Sequence, residues 1–146
     1  MSDDCLLCAA LRCTGPYGDA HVVWDADPLV VVAHMPTGVF GHLLVVTRRH
    51  APYVADLTDD EAAAVGRAVV LSAGALRAEL DPEYVFSAVI GTGVAHFHQH
   101  LSVRHRGTPP DVAWHEVDEW EGAPSGDEHD IAALCTRLRA RMGAES

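Results

Sequence analysis

The run His96-Phe97-His98-Gln99-His100-Leu101 decides how the rest of this 146-residue chain is interpreted. Because side chains alternate between the two faces of a β-strand, the run predicts a strand that presents His96, His98 and His100 on one face, ~6.5–7 Å apart. A single histidine on a strand is more often structural. Three imidazoles on one face would repel one another when charged, and each would need its own partner if buried. The cluster therefore predicts a functional site.

Short apolar runs rich in β-branched residues predict four further strands around this one. They are His21–Asp25, Leu29–His34, His42–Thr47 and Tyr84–Ile90, and the histidine strand itself extends to Arg104. A capping box of Thr58 and Glu61 predicts that a helix begins between the third and fourth strands. Its buried stripe is predicted to be Val65, Val69, Ser72 and Leu76. A second helix is predicted at about residues 127–142, with Ile131, Leu134, Leu138 and Met142 on its apolar face.

The order of these elements predicts the fold class. Three strands, a helix, two strands and a C-terminal helix, with short links between successive strands, favour an α+β fold with a mainly antiparallel sheet. At 146 residues and 49% hydrophobic content, the chain fits a single domain over residues 1–146.

Charge and composition exclude several function classes. Ten basic residues against 21 acidic ones give a net charge of −11, which argues against nucleic acid and against an anionic membrane surface as partners. A small anionic ligand in a local pocket remains compatible with this charge. Every basic residue is arginine, so a Schiff-base lysine, a pyridoxal-phosphate anchor and a P-loop lysine are all excluded.

The N-terminal segment carries a C-x-x-C motif, Cys5 and Cys8, that alone allows three interpretations. It could be a redox pair, two buried thiols, or half of a zinc site that needs two further ligands. Spacing alone does not single those ligands out. The segment begins acidic and lacks the features of a signal peptide, and no run reaches the ~18–20 apolar residues of a membrane span. We therefore expect a cytoplasmic protein in a reducing compartment.

Taken together, the motifs resemble the histidine triad (HIT) superfamily, whose signature is H-φ-H-φ-H-φ-φ with φ apolar. The resemblance rests on CLLC at Cys5–Cys8, GHLLVVTRRH at Gly41–His50, the capped helix and HFHQHL. It covers about residues 5–105, and residues 106–146 correspond to a variable C-terminal extension. It implies a HIT-like α+β fold with a five-stranded antiparallel sheet, and a homodimer.

The resemblance also implies an activity and a zinc site. HIT proteins transfer or hydrolyse nucleotidyl groups, at phosphoanhydrides or phosphoramidates, through a nucleotidyl-histidine. The nucleophile would be His98, with His100 as a second catalytic residue and a small nucleotide or phosphate ester as substrate. In branches with zinc, the ligands map to Cys5, Cys8, His50 and His96. A site with two cysteines and two histidines is closed, so its zinc would be structural.

Substrate contacts are expected from Thr92, Gly93, Ser102 and His34. Three positions depart from the family pattern. His34 stands where relatives carry an Asp or Asn that binds the ribose, the Gly91–Gly93 loop is short, and Gln99 is polar where φ is apolar. His42 and His105 are further candidates for the pocket, although histidines at such positions are more often structural.

Two other function classes are compatible with parts of this sequence. A non-catalytic module that binds zinc and a nucleotide is compatible with the changed ribose position. A cupin-like metal oxygenase also uses H-x-H, but the helix between the strands and the missing downstream Glu argue against it. The sequence specifies neither the base, the leaving group nor the acceptor.

Overall fold

A five-stranded antiparallel sheet forms the centre of the computed structural model, which describes residues 4–14, 21–35 and 40–145. The strands are β1 (Val22–Ala26), β2 (Val30–His34), β3 (Leu43–Thr47), β4 (Tyr84–Ala88) and β5 (His98–Arg104). Their order in the sheet is β1-β2-β3-β5-β4, and each neighbouring pair is antiparallel. The α+β fold and the antiparallel sheet expected from the sequence are confirmed.

The helices described in this structure flank both faces of the sheet. They are α1 (Leu6–Ala9), which continues into a π-helical turn at Ala10–Thr14, α2 (Asp59–Leu80) and α3 (Glu128–Glu145). Short 3₁₀ turns lie at Val54–Asp56 and Trp114–Glu116. Among the helices in the described part of the chain, none is both long and apolar enough to cross a membrane.

The start of α2 also fixes the loop that follows β3. Thr58 Oγ1 accepts from the N–H of Glu61, and the Glu61 carboxylate accepts from the N–H of Thr58, as the capping box predicts. The same carboxylate receives two hydrogen bonds from Arg49, at 2.9 Å from Nε and 2.8 Å from Nη2. Because Arg49 precedes His50, the hydrogen bonds from this exposed arginine to the buried Glu61 carboxylate hold the His50 loop against the helix.

One face of the sheet packs against α2 and α3. The apolar residues predicted for α3 are all buried there, together with Leu43, Leu101 and Val103 of the sheet. The predicted stripe of α2 is only partly right: Val69 is half-buried, whereas Ala68, Leu71 and Ala75 join the buried face. The helix is covered by α3 as well as by the sheet, which widens its buried surface beyond a single stripe.

The opposite face of the sheet packs against the N-terminal segment. Leu7 and Cys8 of α1 lie on Val31, Leu44 and Val46. Since Leu44 pairs with His100 and Val46 with His98, this is the face on which β5 presents its two histidines.

The histidine run is not one continuous strand. β5 begins at His98, so His96 lies in a bend just before it, and the prediction that all three histidines share the strand is wrong. The backbone explains the difference, because the N–H of Phe97 donates to the carbonyl of Ala51 at 2.6 Å, outside the strand pairing. His96 is thereby separated from the other two and is fully buried.

Candidate active site and metal centre

Four side chains from three parts of the chain lie close together beside the bend that precedes β5. Cys5, Cys8, His50 and His96 each offer one ligand atom, and these atoms all lie within 4.8 Å of one another. The Sγ of Cys8 is 3.3 Å from Nδ1 of His50 and 3.4 Å from Nδ1 of His96, and the Sγ of Cys5 is 3.5 Å from that same nitrogen. A tetrahedral zinc with ordinary bond lengths would hold sulfur and nitrogen ligands about 3.6 Å apart. The distances between these four ligand atoms are therefore compatible with a bound metal of this kind.

A hydrogen bond to the backbone fixes the tautomer of His96 in the form that can bind a metal through Nδ1. Its Nε2 lies 2.6 Å from the carbonyl oxygen of Thr47, which can only accept a hydrogen bond. Nε2 therefore carries the hydrogen, and Nδ1 presents its lone pair to the cysteines. Burial also lowers the pKa of His96, which favours the neutral ring that a metal requires.

His98 has its tautomer fixed by the backbone. Its Nδ1 is 2.7 Å from the carbonyl oxygen of His96, so Nδ1 must donate and Nε2 keeps the lone pair in the neutral ring. The ring orientation of His98 thus depends on a carbonyl that belongs to a member of the metal-binding group. His98 lines a cavity of about 540 Å³ together with Tyr53, Thr92 and Gly93.

The loop before His96 supplies one wall of this cavity. Gly91 adopts φ of +74°, a left-handed conformation that side chains disfavour, and so turns the chain after Ile90. Thr92 and Gly93 follow this turn and are exposed, so the structure brings both expected substrate contacts alongside His98. Ser102 lies farther along β5, two residues beyond His100, and is half-buried opposite Phe86.

His100 belongs to a row of polar side chains that the sequence did not predict. Its Nδ1 is 2.9 Å from Nε2 of His42, and Nδ1 of His42 is 2.5 Å from Oδ2 of Asp118. The rings of His98 and His100 have centroids 5.1 Å apart. Burial, and after it the neighbouring His42 and His98, lower the pKa of His100 to about 4, so this ring is neutral at physiological pH.

His34 is not a pocket residue in this structure, which corrects the sequence expectation. It is fully buried, its Nδ1–H donates to the carbonyl of Met35 at 2.6 Å, and its Nε2 accepts from the N–H of Gly41 at 2.9 Å. Burial lowers the pKa of His34 to about 4, consistent with a neutral ring that uses both nitrogens. Gly41 has φ of +92° and leaves no room for a Cβ beside Val103. The imidazole therefore bridges the two ends of the β2–β3 connection.

A second cavity lies between α1 and the sheet, and its lining includes the charged residues Asp25, Arg48 and Arg139. It has a volume of about 330 Å³, and its wall includes Leu7, Leu11, Val31 and Val46. Val46 is directly opposite His98 in the β3–β5 pairing, so the cavity continues the surface that carries His98.

His105, the last of the histidines considered for the pocket, donates from Nε2 to the carbonyl of Phe40 at 2.8 Å and plays a structural part.

The family assignment follows from residues 17–107, which match the model of the HIT domain. The chain belongs to the HIT family. HIT family membership supports a function of the nucleotide-binding or hydrolase type. The match ends before Asp118 and begins after Cys5 and Cys8, so neither the cysteine pair nor the carboxylate belongs to it. No curated protein matches the chain.

Solved structures share this HIT fold at low sequence identity. A hypothetical histidine triad nucleotide-binding protein from Sulfolobus tokodaii has a TM-score of 0.72 and 17% identity, and the match covers 96% of this chain and 93% of that one. A zinc-bound histidine triad family protein from Mycobacterium smegmatis has a TM-score of 0.66 and 21% identity, with 97% and 95% covered. A HIT-like protein involved in cell-cycle regulation from Bartonella henselae has a TM-score of 0.69 and 16% identity, with 97% and 98% covered.

Proposed function

We propose that this HIT protein is a nucleotide hydrolase or nucleotidyltransferase that acts at a phosphoanhydride or phosphoramidate through a nucleotidyl-histidine on His98. The observation that carries the proposal is the hydrogen bond from Nδ1 of His98 to the His96 carbonyl. It leaves the lone pair on Nε2, and a neutral imidazole with a fixed tautomer is the form that attacks phosphorus.

In the proposed first step, Nε2 of His98 donates its lone pair to the α-phosphorus of the substrate. A P–N bond forms, the bond from phosphorus to the leaving group breaks, and the leaving group departs with the electron pair. In the second step water, or another acceptor, attacks the same phosphorus, loses a proton and releases the nucleotide from His98. The histidine returns to its starting form, so the cycle consumes no redox equivalent.

Developing charge on the phosphoryl oxygens needs hydrogen-bond donors close to His98. The loop at Thr92 and Gly93 provides a hydroxyl and backbone N–H groups at the wall of the same cavity. His100 stands one side chain farther along the strand face, and Ser102 follows it. These are the proposed phosphate contacts, and the cavity beside Val46 is the proposed place for a nucleobase, with Leu7 and Leu11 in its wall for the base to contact.

Cys5, Cys8, His50 and His96 are proposed to hold a structural zinc. With four protein ligands the site has no open position, so the metal would supply cross-linking and not Lewis-acid chemistry. These residues would tie α1 and the His50 loop to the bend before β5. The carbonyl that orients His98 belongs to this same bend, which links the metal group to the nucleophile.

A non-catalytic module that binds zinc and a nucleotide is the second candidate function. The burial of His34 favours it, because the position expected to contact a ribose is engaged within the protein. Such a module would bind nucleotides in the same cavities without forming a covalent bond to His98.

Intact-protein mass spectrometry after quenching in alkaline denaturant, in which a P–N bond to histidine survives, separates the two candidates. The protein is mixed with nucleoside phosphoramidates, dinucleoside polyphosphates and nucleotide sugars, and we expect one class to add the mass of a nucleoside monophosphate less one water. Native spectra of the same samples report metal content and non-covalent binding. Nucleotide binding without an adduct or product from any class would support the binding module instead.

We also propose that residues 1–146 form one HIT-type domain that associates as a homodimer. Residues 106–146 belong to the domain because α3 contributes Ile131, Leu134 and Leu138 to the main core. The dimer is proposed at the free edge of the sheet, where β4 ends the strand order. Tyr84, at 61% exposure, lies on this edge, and Ile90, at 58%, lies two residues beyond the end of β4 at the wall of the His98 cavity, so this end of the sheet is apolar, as an edge that pairs with a second copy would be.

Charges at this edge are expected to separate the protomers. In the double variant Tyr84→Asp, Ile90→Asp, two like-charged edges would face each other, so light scattering should report a monomer where the wild type is a dimer. Val70→Asp, at an exposed apolar residue on α2, is the matched control and should stay dimeric. A wild-type protein that is monomeric at micromolar concentration would contradict the proposal.

A further inference from the structure

A carboxylate from the segment after β5 reaches the histidines of the proposed active site. Oδ2 of Asp118 is 2.5 Å from Nδ1 of His42, and Nε2 of His42 is 2.9 Å from Nδ1 of His100. His100 in turn lies against His98. Asp118, His42, His100 and His98 therefore form a continuous row, whose first member lies beyond the residues that match the HIT domain.

The segment that carries Asp118 is anchored to β5 itself. Arg104, the last residue of the strand, donates to the carbonyls of Pro109 at 2.8 Å and Val112 at 2.9 Å. Val117, next to the carboxylate, is 2% exposed. The strand that bears His98 and His100 thus also holds the backbone that presents Asp118, so the position of this carboxylate follows from the fold.

The protons in this row follow from the donors and acceptors. An ionised carboxylate only accepts, so Nδ1 of His42 carries a hydrogen, and Nε2 is the atom that faces His100. One proton lies between Nε2 of His42 and Nδ1 of His100. When Nε2 of His42 carries this proton, Nδ1 of the neutral His100 ring accepts the hydrogen bond, and Nε2 of His100 holds the hydrogen that a phosphoryl oxygen would accept. The other oxygen of Asp118, Oδ1, is buried and has no hydrogen-bond partner among the described residues, so His42 is the group on which this carboxylate acts.

We propose that Asp118 is a positioning residue of the active site. It fixes the ring orientation and tautomer of His42, and through His42 the orientation of His100 beside the nucleophile. The catalytic part of this proposal rests on the proposed function, because it assumes that His100 contacts a substrate phosphoryl group. The structural part, the control of the two rings by Asp118, stands on the distances alone.

The ring nitrogens of His42 and His100 test the structural part without any substrate. In ¹⁵N-histidine spectra of the resting protein, we expect His42 to show a hydrogen fixed on Nδ1 and a strongly downfield proton from its bond to the carboxylate. Asp118→Ala should remove that proton signal and let both rings sample two tautomers. Asp118→Asn can still accept from Nδ1 through its amide oxygen, so it should keep the tautomer while the proton moves upfield.

Steady-state kinetics with the substrate that labels His98 tests the catalytic part. Asp118→Ala should lower kcat by about 10–100-fold with little change in KM, and Asp118→Asn should lie between it and the wild type. Glu119→Ala removes the neighbouring, exposed carboxylate and should change neither the spectra nor the rates. If His42 keeps its Nδ1 proton and its signals in Asp118→Ala, the positioning role is wrong. If the spectra change but kcat does not, its catalytic consequence is wrong. Because the spectra need no turnover, a protein that forms no adduct would refute the proposed function and still decide the role of Asp118.

Discussion

The His98→Ala protein is expected to fold, to keep the metal-binding residues Cys5, Cys8, His50 and His96 in place and to bind nucleotide. It is expected to form no covalent adduct. Turnover should fall on the order of 10⁴-fold, because loss of a nucleophile leaves only the contribution of binding and of the remaining donors. His98 is half-buried at the cavity wall, so the substitution should cost little stability. Mass spectrometry after quenching in alkaline denaturant measures the loss of the adduct, and initial rates measure the loss of turnover.

A second variant distinguishes loss of the nucleophile from loss of local order. In His98→Asn the amide nitrogen can still donate to the His96 carbonyl, which accepts a hydrogen bond from the His98 ring in the wild type. This variant lacks a lone pair able to attack phosphorus, so it should be as inactive as His98→Ala.

An exposed histidine provides the matched control. His129 lies on the surface at the start of α3, away from the cavity, so His129→Ala should retain the wild-type rate and the adduct. A His98→Ala protein that turns over substrate at a rate close to the wild type would rule out the nucleotidyl-histidine. Adduct formation on another residue, located by peptide mapping, would move the nucleophile away from His98.

The parts of this protein that could be predicted from sequence are those with a local signature. Thr58 and Glu61 cap the helix that they predict, because a capping box needs only residues three positions apart. The period-two pattern of His98 and His100 likewise depends only on the geometry of one strand. The grouping of Cys5 and Cys8 with His50 and His96 followed from a family resemblance and not from spacing, since the ligands lie up to 91 residues apart.

The features that the sequence did not predict depend on how distant segments pair. His42 reaches His100 only because β3 lies beside β5 in one register, with Leu44 opposite His100. The alternation of His42 with Leu44 and Val46 was the available signal, but it has meaning only once the neighbouring strand is known. Asp118 had no signal, because it is one of many acidic residues in an irregular segment. His34 was misassigned because its burial follows from the β2–β3 connection, which it bridges to Gly41.

Removing one of the proposed zinc ligands, Cys5, Cys8, His50 or His96, is expected to have the largest effect on stability. Cys8 is fully buried, and its sulfur is within 3.4 Å of both ligand nitrogens, so Cys8→Ala removes a central member of the group. A closed zinc site contributes several kcal/mol to folding, which corresponds to a fall in Tm of roughly 10 °C or more for a chain of this size. Because His96 also orients His98 through its carbonyl, kcat should fall as well, even at temperatures where the variant is folded.

Chelation separates the effect of zinc from the effect of a cavity in the core. Cys8→Ala should contain less than a tenth of the zinc of the wild type, measured by elemental analysis, and a strong chelator should lower the Tm of the wild type but not of the variant. Cys135→Ala is the matched control, because Cys135 is an equally buried thiol on α3 outside the group, so zinc should be retained while a small cavity lowers the Tm modestly. A wild type that purifies without bound zinc, and whose Tm neither added zinc nor the chelator changes, would show that the four residues are buried thiols and histidines without a structural metal.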